Sequence, residues 1–117
     1  METGRTKEDL IWQGKDYKSR TVSLFVYDRD HICEHEVMQN NFTAIYDTVE
    51  MPDSVYESEY DAEREVFFKK TNKATYGNTF FTKVVVAYPE KGGKGYVVSA
   101  WPQPDEKGGI GDQIYPE

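Results

Sequence analysis

The chain has 117 residues, 38% of them hydrophobic and 15% aromatic, and a formal net charge of −7. That length supplies one hydrophobic core rather than two, and nine tyrosines and six phenylalanines argue for a folded globule over a disordered chain. The acidity excludes non-specific coating of nucleic acid, no apolar run is long enough for a membrane span or a signal core, and a lone cysteine, Cys33, excludes an internal disulfide.

The polar start "METGRTKEDL" reads as a cytosolic N-terminus or as the cut edge of a longer protein, and the single cysteine fits a reducing, cytoplasmic setting. Residues 10–18 and 21–29 read as short strands; in the second, Val22, Leu24 and Val26 alternate with Thr21, Ser23 and Phe25. Asp30 is placed to cap a helix over about 31–48, with Glu34 and Glu36 near its positive end and Pro52 as its stop. Residues 51–63 read as a loop leading toward a strand near Val55. Three strands follow, at 63–71, 79–88 and 95–103, the last two joined by the glycine-rich turn "PEKGGKG". The tail 102–117 is rich in proline and glycine and is expected to lie loosely on the surface. The predicted fold is α+β: an N-terminal β-hairpin and one main helix packed on an antiparallel sheet of about four strands, a single domain over 1–117.

Charge is unevenly distributed. From Arg64 to Lys94 there are seven bases and two acids, a local charge of +5, whereas 47–63 carries seven acids and no base. A local anion site therefore stays open although a global one does not.

Both histidines, His31 and His35, lie four residues apart beside Cys33. On a wheel of 100° per residue they join the stripe of Met38, Phe42, Ile45, Tyr46 and Val49, which is expected to face the sheet, while Cys33 points elsewhere. Three readings follow. Two histidines at this spacing are half a metal site, but a third ligand is needed and neither an HExxH pattern nor a third histidine is present. They could be two hydrogen-bonded imidazoles filling the helix–sheet seam. They could also form a proton-transfer pair, since imidazole gives and takes protons near neutrality.

The run "TVSLFVYDRDHICEHEVM", the turn "MPDSVYES" and the hairpin "KVVVAYPEKGGKGYVVSA" resemble, in order and spacing, the small phage- and toxin-associated ribonuclease-like domains of the barnase/EndoU/colicin/RelE superfamily. The likeness covers about 20–101 and departs from the pattern at Glu34, Glu36 and Ser99. It implies metal-independent RNA cleavage by acid–base transesterification, without a cofactor. The substrate would be RNA, tRNA among the candidates, and an inhibitor or immunity protein would be the partner.

On that resemblance His31 and His35 are the acid–base candidates and Ser99 a phosphate contact. Lys83, Lys70 and Arg64 would neutralise phosphate, Trp101 would stack on a base, and Tyr56 would line the site from the turn. Each has a plainer structural reading: Ser99 as an ordinary strand serine, Lys83 as a solvated strand lysine, Trp101 as a cover for the sheet. The acidic run 47–63 is a solvated loop or a docking face for a basic inhibitor. The alternative for the whole chain is a non-catalytic binding or interaction module.

Overall fold

A computed structural model describes residues 5–71, 81–90 and 92–116. The strands are β1 (Leu10–Lys15), β2 (Thr21–Phe25), β3 (Ser54–Ser58), β4 (Arg64–Lys70), β5 (Phe81–Ala87), β6 (Gly95–Gln103) and β7 (Ile110–Tyr115). Between β2 and β3 run helix α1 (Val26–Ile32), a 3₁₀ turn (Glu36–Asn40) and helix α2 (Phe42–Glu50). The seven strands form one mixed sheet in the order β1–β2–β6–β5–β4–β3–β7. Every pairing is antiparallel except β2 with β6, which is parallel over Val22–Gly95 and Ser23–Tyr96.

This overturns the expectation of one main helix on a four-stranded sheet. Three segments account for the difference. The N-terminal hairpin joins the sheet through β6, the strand expected near Val55 is a full member of the sheet as β3, paired with β4, and the C-terminal tail supplies β7, bonded along β3 at Val55–Tyr115, Tyr56–Gln113 and Ser58–Ile110. Glycine and proline density made the tail look irregular, yet Pro116 falls just past the strand, where no ladder N–H is needed.

The single long helix is broken in the middle. Chain direction changes at Cys33 and Asn41, and side-chain amides take the carbonyls that a continuous helix would use: Gln39 donates to the Cys33 carbonyl (3.1 Å) and Asn41 to that of Val37 (2.6 Å). Asp30 is an exposed residue inside α1, not a cap. Ile32, Met38, Ile45 and Val49 are nevertheless fully buried. The apolar period thus continues through a backbone that does not, and the intervening turns rotate both histidines to solvent.

The core lies between α2 and one face of the sheet, with Val22, Leu24, Val55, Phe67, Val84, Val86, Val97 and Ala100 beneath Ile45 and Val49. The sheet curls strongly around α2. On one side Trp12 of β1 stacks on Tyr46 of α2, centroids 4.4 Å apart. On the other, Tyr17 in the β1–β2 turn meets Phe67 of β4 (5.5 Å) and Tyr115 of β7 (5.0 Å), although these strands stand fifth and seventh in the order. The result is an open barrel. Its outer face carries Val66, Phe68, Lys83, Ser99 and Trp101, and the 104–109 loop covers part of it through a Ser54 hydroxyl bond to Glu106. No helix among the described residues is long and apolar enough to cross a membrane.

Candidate functional site

At one end of the strands, β2 leaves the sheet after Phe25 and α1 takes its place beside β6, which brings the histidine segment near Trp101. His35 and Trp101 stack with centroids 5.9 Å apart and planes 29° off parallel. Both histidines are exposed, so the wheel's inward placement is corrected: His31 turns outward, its Nδ1 3.6 Å from Glu34, with the side chain 60% accessible. Cys33 is free and half-buried. Among the described residues, no three of His, Cys, Asp and Glu are placed to hold a metal ion.

Lys83 follows in the same strip. Its Nζ lies 4.8 Å from the Trp101 ring centroid and 5.8 Å from that of Phe68, and the Tyr56 ring meets Phe68 edge-on at 5.8 Å. The outer face therefore joins His35, Trp101, Lys83 and Tyr56, with Ser99 on the same face one pleat from Trp101. Lys83 is not the solvated lysine its sequence suggests. It is 5% exposed, and its ammonium donates to the Gly108 carbonyl (2.7 Å), the Lys107 carbonyl (3.0 Å) and Gln103 Oε1 (3.4 Å). Burial pushes its pKa down. Gln103 also accepts from Trp101 Nε1 at 3.1 Å, so one amide ties the lysine and the indole together.

The remaining candidates do not join them. Lys70 is exposed at the end of β4, its backbone N–H held by Asp53, and the neighbouring Lys69 reaches the Met51 carbonyl at the end of α2 on the helix side. Arg64 starts β4 at the opposite end and lies 3.4 Å from Asp61. Of the basic segment, Lys73 and Lys91 lie outside the described residues.

That opposite end holds a cluster absent from the sequence reading. The β1–β2 turn buries Asp16, whose Oδ1 accepts the backbone N–H groups of Lys18 (2.8 Å) and Arg20 (2.9 Å). Its Oδ2 accepts Arg20 Nε (2.7 Å) and the Tyr88 hydroxyl (2.6 Å). Arg20 then bridges to β4, gripping both oxygens of Glu65 at 2.8 and 2.9 Å, and Tyr17 donates to Glu65 as well (2.9 Å). The guanidinium lies 3.8 Å from the Tyr88 ring centroid. This clasp ties the first hairpin to the middle of the sheet. It fixes charges as expected for buried, bidentate pairs. Burial and Asp16 raise the Tyr88 pKa, and burial and Glu65 raise that of Tyr17. Burial opposes the charge of Arg20, but its bonds to Glu65 and the neighbouring Tyr88 and Asp16 outweigh that and raise its pKa. A faint signal existed: Glu65 and Glu90 are the only acids from Arg64 to Lys94, and Glu65 shares the buried face of Phe67.

Above the clasp, the mouth of the barrel opens into a groove of about 920 Å³ between the β3–β4 hairpin and the turn after β5. Arg20, Tyr88, Pro89 and Ile114 line it, with Lys18, Glu57, Glu59, Asp61 and Glu63 around it. A smaller groove of about 290 Å³ lies between α2 and the end of β4. Comparison with known proteins finds no matching family model, curated protein or solved structure.

Proposed function

We propose that this chain is a non-catalytic interaction module that binds a protein partner. The observation that carries this reading is Lys83. It is the cation aligned with His35 and Trp101, yet it is buried and its Nζ lies 2.7 to 3.4 Å from three oxygens of its own chain, which a phosphate would have to displace. Phosphoryl transfer without a metal needs such a donor beside its acid and base. Arg64, at the far end of β4, is too distant along the strand to serve, and the net charge of −7 opposes the approach of a polyanion.

Incubation of the purified chain with structured RNA, in chelator at neutral pH, tests this. The RNA should stay intact over the time course. Cleavage that disappears in both His31→Ala and His35→Ala would overturn the reading.

One arrangement favours the second reading, a ribonuclease-like domain: the accessible His35 ring stacked on Trp101, with Lys83 and Tyr56 continuing the strip. In that case His35 is the proton carrier and Trp101 holds it in place, and the same assay reports it.

A further inference from the structure

We infer that the groove at the barrel mouth is the docking site, and that its occupant is an extended peptide segment carrying lysine or arginine at alternate positions. This rests on the interaction-module reading and adds its location and partner chemistry. The groove has Tyr88, Pro89 and Ile114 as apolar lining, with Tyr88 buried and Pro89 exposed, and is open along one side, which admits a chain rather than enclosing a small molecule. Charge complementarity names the occupant. Three cations line the groove against five carboxylates, Glu57, Glu59, Asp61, Glu63 and Glu65, a net charge of −2. Arg20 is committed to Asp16 and Glu65, Arg64 to Asp61, and the exposed Lys18 lies over the Tyr17 ring. Glu57, Glu59 and Glu63 have no cationic partner among the described residues, so the groove presents unpaired carboxylates beside an apolar lining.

A separate feature agrees with this. Tyr60, at the tip of the β3–β4 hairpin and also lining the groove, is 83% exposed, the most exposed of the large apolar side chains among the described residues. Its position is set from below, because the ring lies against Gly109, where an added Cβ would come within 2.9 Å. Gly109 also has φ +67°, and its carbonyl accepts the Glu59 N–H at 2.7 Å. An exposed, supported aromatic ring among carboxylates accepts a cation over its face, and tyrosine is enriched at the centres of protein interfaces. An extended chain alternates its side chains, so basic residues at alternate positions all face the rim while the residues between them face the other way.

The experiment titrates a fluorescent nonapeptide of alternating lysine and alanine against the full chain and follows anisotropy. Saturable binding is expected. Glu59→Lys with Glu63→Lys should weaken it by about tenfold, and Tyr60→Ala by about threefold. Glu34→Lys with Glu36→Lys changes net charge equally at the other end and should weaken binding less than about twofold. Equal losses from the two charge-reversed pairs, or binding of spermine without binding of the peptide, would overturn the proposal. A parallel RNA incubation separates the failures. Intact RNA with no peptide binding sinks the groove assignment alone, whereas histidine-dependent cleavage sinks the reading beneath it.

Discussion

The two ends of the barrel invert what their sequences advertise. The histidine end holds both imidazoles, the cysteine and Trp101, yet His31 and His35 are exposed and Lys83 beside them is sealed by carbonyls. The clasp end is drawn from an unremarkable turn, "DYKSR", a lone strand glutamate and a tyrosine, yet Asp16, Arg20, Glu65 and Tyr88 form a buried network with every charge paired. Reactive residue types mark where chemistry could occur. Burial and hydrogen-bond saturation mark where structure is held.

The contrast in stability between the two ends is largest at Arg20. Arg20→Ala removes the cation between Asp16 and Glu65 and should cost about 3–5 kcal/mol, because Asp16 is left buried without a counter-ion. Urea denaturation measures this, and His35→Ala at the other end should cost only about 0.5–1.5 kcal/mol, the worth of a ring contact. A larger loss from His35→Ala than from Arg20→Ala would remove the contrast.

Arg5 provides an intermediate case. Its guanidinium grips both oxygens of the buried Asp28 at 2.8 and 3.0 Å, so Arg5→Ala should cost about 3 kcal/mol by the same measurement.

Tyr88→Phe keeps the ring under Arg20 but deletes the bond to Asp16, and a loss of about 2 kcal/mol is expected near neutrality. The same variant sharpens the pH dependence. Tyr17 and Tyr88 have folded-state pKa values raised above their unfolded values, so their protonated forms favour folding. Their contribution is complete below about pH 10 and is lost as pH rises beyond it. Lys83, with its pKa lowered, acts in the opposite sense and gains as pH rises through its folded value toward the unfolded one. Stability curves should therefore fall at alkaline pH in the wild type and fall less steeply in Tyr88→Phe.

The smallest effect is expected at Ser19, which holds φ +62° in the clasp turn. Ser19→Gly relieves that conformation and should raise stability by about 0.5 kcal/mol.

Much of the strand content was legible. The alternation at 21–25 and the β-branched and aromatic runs at 64–70 and 81–87 are local, and local patterning reports them directly. The helix was misread for a physical reason: Ile32, Met38, Ile45 and Val49 keep one apolar period across a segment whose amides of Gln39 and Asn41 interrupt the backbone. Periodicity reports which residues face inward, not whether the chain between them is continuous. The site was less legible still. Tyr17 reaches β4 and β7 only because the sheet closes on itself, and Arg20 meets Glu65 across 45 residues. Neither meeting leaves a mark on nearby sequence. Lys83 looked like a free strand lysine because the loop that caps it lies more than twenty residues downstream.

On the proposed reading, partners are met in the groove above the clasp and the histidine end takes no part in binding. An amide-resolved NMR titration of the labelled chain with the alternating lysine–alanine nonapeptide tests it most directly. Shifts should concentrate at 57–65 and leave 31–36 and 99–103 unmoved. Shifts confined to the histidine segment and the end of β6, with the groove silent, would contradict the account.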